Sequence, residues 1–261
     1  MIVRKEADGS LVLIAQTNHA ELSGVLAANW GNERFARPRP FQSVVRAAIY
    51  HDAGWYRYET KPSYDVAAKA TPNFPQVSTD ASQLAAYQWA IDWLTDIDPY
   101  AGLLISRHRT GLWNERYKVL SKPPMRSRRP FSPPIEEFMT RNEARQEQAL
   151  RSLDRGEFAV NYHNLQVWDL LSLYLCSAAS PKGDTFEYIP TQYGKDATAV
   201  PMTLEPDGSE RIAISPFPFA QRPLRVCYAY KRLSTYDFPS EAVFLDAYYA
   251  AVPVTRYFEF V

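Results

Sequence analysis

Cysteine is nearly absent from this 261-residue chain: Cys176 and Cys227 are the only two. Two thiols cannot make a disulfide framework, and nothing in their spacing suggests metal ligation. Net charge is missing as well. Lys plus Arg is 29 and Asp plus Glu is 29, so the chain lacks the basic excess of a general nucleic-acid or membrane-surface binder. No stretch approaches the roughly 18 apolar residues of a membrane span. The opening MIVRKEADGS is not followed by the apolar run of a secretory signal. There is no internal repeat, phosphate-cradling glycine loop, nucleophile elbow or HExxH, which removes support for NTPase, α/β-hydrolase and zincin chemistry. What is present is an apolar fraction of 46% beside 22% charged residues, enough to bury a full core. A cytoplasmic globular protein is expected, with one large domain or a main domain and an appendage.

Ile2 to Arg4, Asp8-Gly9 and Leu11 to Ala15 read as a hairpin. Thr17 or Asn18 can cap a helix from His19 to about Trp30, ended by Gly31. Helical spacing returns from Phe41 to about Ala53 through Val44, Val45, Ala48 and Ile49. Residues 56–77, with Pro62, Pro72 and Pro75, read as irregular. Ser78 or Thr79 would cap the next helix, and Pro99 fits the first turn of another, Tyr100 to about Arg109, closed by Gly111. Ile135 to Leu153 reads as a helix with one apolar edge, broken by Gly156; Phe158 to about Ser177 is a strongly apolar, central helix. After Ser180 the pattern becomes strand-like: Phe186–Ile189, Met202–Leu204, Arg211–Ile214, Leu224–Tyr230 and Thr255–Phe260, with a hairpin turn at Asp207-Gly208. The expected fold is mainly α: a helical core over 16–180, with residues 1–15 and 181–261 forming a small β appendage packed on it.

Histidine is rare enough to weigh singly: His19, His51, His108 and His163. His51 is followed by Asp52 at the end of an apolar helix, His19 lies on an earlier helix, and Asp169 stands inside the most apolar helix of the chain. A carboxylate there is costly unless paired or bound to a cation. Two imidazoles and two carboxylates from three helices would make a mixed N/O site for Mn, Fe, Co, Ni or Mg, with Zn also suited. Each residue also has an ordinary reading: a helix-end pair, a capping histidine, a salt bridge to arginine. His108 lies between Arg107 and Arg109, which suit phosphate through bidentate donors; a solvated helix end explains the arginines equally well. His163 reads as structural. Between Arg107 and Arg129 stand eight Lys/Arg against one acidic residue, Glu115. Within that stretch Arg126-Ser-Arg-Arg129 could contact a nucleotide or polyanion, or simply be a solvated loop.

The order His19, His51-Asp52 and a distant Asp169 in "DLLSL" resembles the HD-domain metal-dependent phosphohydrolases, over roughly residues 16–178. The segments "HDAGW" (51–55) and "LLISRH" (103–108) are similar to a bacterial family of uncharacterised function. The resemblance implies an all-helical bundle in which His19, His51, Asp52 and Asp169 bind a divalent metal, with Asp52 able to bridge a second ion. Two departures stand out. Trp55 occupies the place where many nucleotidase members carry Glu. A dinuclear site needs further ligands, for which only His108 is well placed, since His163 and Asp169 do not share a helix face; Asp80 is an alternative. The implied activity is hydrolysis of a phosphoester of a small molecule or nucleotide. In it Asp52 orients or deprotonates water, and Arg107, His108 or Arg109 offsets phosphoryl charge. The alternatives are a non-catalytic binding or scaffold protein, with Trp55 in its favour, and a di-iron oxygenase, which the histidine count opposes. Trp30 and Trp55 would wall the pocket. A homodimer is left open.

Overall fold

A computed structural model describes residues 1–77, 79–114, 116–121, 130–194 and 198–261. The chain opens with β1 (Ile2–Lys5) and β2 (Leu11–Ile14), turned at Gly9, whose φ of +83° suits glycine. Seven helices follow: α1 (Gln16–Asn29), α2 (Phe41–Tyr50), the short α3 (Tyr56–Glu59), α4 (Ala81–Ile97), α5 (Pro99–Trp113), α6 (Pro133–Ala149) and α7 (Arg155–Ser177). The remainder is β3 (Asp184–Pro190), β4 (Ala199–Asp207), β5 (Arg211–Ser215), β6 (Leu224–Leu233), α8 (Glu241–Ala250) and β7 (Val254–Phe260). No helix among the described residues is long and apolar enough to cross a membrane.

The fold is mixed, which corrects the expectation of a mainly α bundle with a small β appendage. Helix accounts for 48% and strand for 20% of the chain, and the strands join in one curled seven-stranded sheet. Its order is β1-β2-β6-β7-β5-β4-β3. The N-terminal hairpin meets the C-terminal half through Leu11↔Leu233, and β5 runs parallel to β7 through Arg211↔Glu259. The sheet's inward side chains, among them Leu204, Ile214, Val226 and Phe260, share one apolar core with Leu26 of α1 and Trp168 and Leu171 of α7. Strand pairing across so many residues is a tertiary choice that local pattern does not reveal. The helix α8, not anticipated, seats Phe244 and Tyr248 against Leu11, Leu13 and Leu233 in a second cluster.

Several devices fix the helices that carry the site. No side chain from the local turn caps α1; instead Glu59 of α3 accepts from the backbone N–H groups of Gln16 and Thr17 and from Thr17 Oγ1. A carboxylate at a helix N-terminus satisfies orphan donors and the positive end of the dipole. Thr17 and Asn18 therefore lie inside α1 rather than capping it. Asp80, not Thr79, caps α4 by accepting from Gln83 N at 2.8 Å; Ser78 lies outside the described residues. Gly111 does not close α5 but lets it approach α7, because a Cβ there would stand 1.9 Å from Tyr162 Oη. Gly24 does the same for α1 and α2: its Cβ would stand 2.2 Å from Ile49 Cγ1. Gly156 opens α7, where Asp154 accepts from Gly156 N and Glu157 N at 2.8 and 3.0 Å.

Candidate metal centre

Four helices deliver five titratable side chains to one buried point. His19 comes from the second turn of α1, His51 closes α2, and Asp52 (φ −110°, ψ 19°) begins the turn after it. His108 comes from the middle of α5 and Asp169 from the middle of α7. All five are buried. His19 Nε2 stands 3.0 Å from Asp52 Oδ2, and His51 Nε2 stands 3.4 Å from Asp169 Oδ1 and 3.9 Å from Asp52 Oδ2. His108 Nε2 is 3.9 Å from Asp169 Oδ2. The His51 ring lies edge-on to both other imidazoles, with centroids 5.1 Å from His19 and 4.9 Å from His108.

A surrounding shell aims these groups. His51 Nδ1 donates to the carbonyl of Ala48 at 2.9 Å, which turns Nε2 inward. His19 Nδ1 lies 2.8 Å from Ser172 Oγ; that hydroxyl donates to Asp169 O at 2.8 Å and accepts from Ser23 Oγ at 2.9 Å. Ser172 thus holds the outer edge of the His19 ring and turns Nε2 toward Asp52. Tyr117 donates to Asp169 Oδ2 at 2.8 Å, and Gln16 Nε2 donates to Asp52 Oδ2 at 3.2 Å. Fixing the far nitrogen of an imidazole in this way is what holds histidine ligands in orientation and tautomer.

The electrostatics are those of a crowded, dry site. Burial would lower the His51 imidazole, but the Asp52 and Asp169 carboxylates outweigh it and push it up to about 9. Burial opposes ionisation of Asp52 and Asp169, yet the adjacent imidazoles, His51 foremost, hold both below the usual carboxylate range. His108 is lowered to about 4, by burial first and by the charge of His51 among the other causes. Burial and the Asp169 carboxylate raise the Tyr117 phenol, so it stays a donor.

The donor set fits a cation. One ligand atom each from His19, His51 and Asp169, and likewise from His51, Asp52 and His108, lie within 4.8 Å of one another. His108 Nδ1 is buried with no hydrogen-bond partner among the described residues. His51 Nε2 pairs with Asp169 at 3.4 Å and stands between two carboxylates, where a cation could take the place of its proton. The mixture of imidazole and carboxylate suits a borderline or hard divalent ion.

Other residues singled out in the sequence lie elsewhere. Arg107 points away from the cluster: its Nη1 donates to Gln146 Oε1 on α6 at 3.2 Å, and the side chain lines a separate cavity. Arg109 is held flat between rings, 4.0 Å from the centroid of Tyr87 and 4.2 Å from that of Trp113. His163 lines the same cavity as Arg107. Trp30 is core, packed on Phe35, Trp168 and Phe219, whereas Trp55 packs on Tyr58 and Tyr87 beside the His51-Asp52 turn. Asp80 is occupied as the α4 cap. Arg126-Ser-Arg-Arg129 lies outside the described residues.

Sequence reasoning missed Ser172, Tyr117 and Gln16. Ser172 carried a signal, since it lies three residues beyond Asp169 on the same helix face. Tyr117 and Gln16 carried none, for their reach depends on how the segment after α5 packs on α7 and how α1 packs on the turn after α2. A family profile described as "Protein of unknown function (DUF3891)" matches residues 1–235. The chain belongs to that family. Its matched span contains all five clustered residues and their supporting shell. Neither a curated protein nor a solved structure matches the chain.

Proposed function

We propose that the protein is a divalent-metal-dependent hydrolase of the HD type, acting on a phosphoester of a small molecule or nucleotide. The observation that carries this reading is the convergence of three imidazoles and two carboxylates on one buried point, where two overlapping sets of three donor atoms each lie within 4.8 Å of one another. His19, His51, Asp52 and Asp169 would hold the ion, and His108 would complete a second donor set with His51 and Asp52. A divalent ion bound there would supply Lewis-acid charge to a phosphoryl oxygen and make water acidic enough to attack near neutral pH.

The chain's own part is orientation and proton handling. Asp52 is the most exposed acid of the pair, its side chain 11% accessible against 6% for Asp169. It would orient or deprotonate an attacking water. Tyr117 and Ser172 keep Asp169 and His19 in register, and burial excludes competing water and strengthens each charge interaction. Arg109, clamped by Tyr87 and Trp113, is kept close to the turn carrying Asp52, because Tyr87 packs directly against Gly54. It would be the cation offered to the charge of a phosphoryl group. Arg107 points into the other cavity and has no part in this role.

The test is hydrolysis of a panel of phosphomonoesters and nucleotides by metal-stripped protein resupplied with Mn, Fe, Co, Ni, Mg or Zn. The reading requires ion-dependent phosphate release that falls by about a hundredfold or more in Asp52→Asn, the scale of losing a positioned acid–base group. Equal release with and without the ion, or by wild type and Asp52→Asn alike, would overturn it.

A further inference from the structure

A second cavity, of about 640 Å³, opens between α5, α6, α7 and the β3–β4 edge. That volume is within the usual range for small-molecule pockets. Four cations line it, Arg107, Arg116, Lys118 and Arg155, against one carboxylate, Glu147. Two of the cations are already neutralised: Arg155 Nη2 pairs with Glu147 at 3.0 Å, and Arg116 pairs with Glu143. Arg107 and Lys118 have no carboxylate within ion-pairing distance among the described residues. Arg107 is half-buried and bonded only to the neutral amide of Gln146, and burial followed by the like charge of Arg116 weakens its hold on its proton. A guanidinium in that position is short of an anion.

Tyr162 and His163 also belong to the cavity wall, with Tyr162 Oη and His163 Nε2 themselves closed off from solvent. Tyr162 is more than nine-tenths buried. The opposite wall is apolar, formed by Leu150, Phe158 and Pro190. Two unneutralised cations match the charge of one phosphate monoester dianion near pH 7, and Arg107 offers it a bidentate fork. The apolar wall matches a ring or chain carried on that phosphate.

We infer that this cavity is a binding site for a small phosphate monoester with an apolar body, separate from the histidine–aspartate cluster. The two places are nevertheless adjacent. Gln166, in the cavity wall, precedes Asp169 by one turn of α7, and Tyr117 Oη lies within hydrogen-bond reach of both Gln166 O, at 3.0 Å, and Asp169 Oδ2, at 2.8 Å. Lys118 in turn donates its backbone N–H to Gln166 Oε1 at 2.9 Å. The inference does not depend on a metal, and its test keeps the two apart.

Phenyl phosphate is titrated calorimetrically into metal-stripped full-length protein at low ionic strength, with inorganic phosphate and phenol as comparisons. One phenyl phosphate per chain is expected, bound more tightly than either comparison compound. Arg107→Gln and Lys118→Gln should each weaken it about tenfold or more, the scale of a lost charged hydrogen bond. Lys118 is exposed, so Lys118→Gln tests the site even if Arg107→Gln fails to fold. Undiminished binding by both variants would overturn the inference, as would binding that appears only after a metal is restored. Binding to stripped protein that takes up no metal would support the inference while removing the hydrolase reading.

Discussion

The Nδ1–H of His51 is bonded to the carbonyl of Ala48, one turn earlier on the same helix, at 2.9 Å. That contact decides what His51 can do. The far nitrogen is spent on the backbone, so Nε2 is left pointing between Asp52 and Asp169, which come from different parts of the chain. Ser172 and His19 repeat the arrangement from the other side. The cluster is thus two imidazoles oriented by their outer nitrogens, two carboxylates oriented by Tyr117 and Gln16, and a third imidazole, His108, without a hydrogen-bonded Nδ1.

Tyr117 tests whether the shell matters to the ion or only to the fold. Tyr117→Phe keeps the ring in the core and removes the hydroxyl that reaches Asp169 Oδ2 and the carbonyl of Gln166. Metal affinity should fall about tenfold to a hundredfold, the usual cost of losing an outer-shell partner, while the melting temperature changes little. Calorimetric titration of wild type and variant with Mn or Ni measures it. Equal affinities would mean that Asp169 does not take part in binding.

Gly24 should be intolerant of even one methyl group. Its added Cβ would meet Ile49 at Cγ1 and, at 3.2 Å, at Cα, so a side-chain rotation cannot relieve the clash. Gly24→Ala is expected to cost about 1–3 kcal/mol by overpacking, despite the gain in helix propensity. Denaturant unfolding checks the sign: a stabilised variant would show that α1 and α2 are not packed this closely.

Stability should decline in mild acid partly through His163. Burial, with Lys118 assisting, lowers its imidazole to about 4, whereas in the unfolded chain it titrates near 6.5. Between those values the unfolded chain holds the proton and the folded chain does not. This contribution is therefore complete above about pH 6.5 and is lost as pH falls toward 4. His163→Gln should flatten the dependence of melting temperature on pH in that window; an unchanged slope would place His163 in water.

The local elements were legible because each had a local cause. The Asp8-Gly9 turn, the apolar run around Trp168 and the alternation in Leu224–Tyr230 are visible in the sequence, and all three became the expected kind of element. The architecture was not legible. Nothing local to Leu11 or Leu233 announces that they pair, and that pairing makes one curled sheet from segments read as an appendage. His19, His51, Asp52, His108 and Asp169 could be picked out because histidine is rare and a carboxylate inside an apolar helix is costly. Which way Arg107 and Arg109 face was not legible, since they stand two residues, about 200°, apart on α5 and their surroundings depend on packing.

The central claim is that the cluster holds an ion, and elemental analysis of protein purified without added metal or chelator tests it most directly. Wild type should carry about one divalent metal per chain, lost in His51→Ala and Asp169→Asn variants that still fold by circular dichroism, since a mixed imidazole–carboxylate site depends on each donor. Wild-type protein that is metal-free and takes up no Mn, Fe, Co, Ni, Mg or Zn on titration would contradict it. The five residues would then be a buried polar core held together by their own ion pairs.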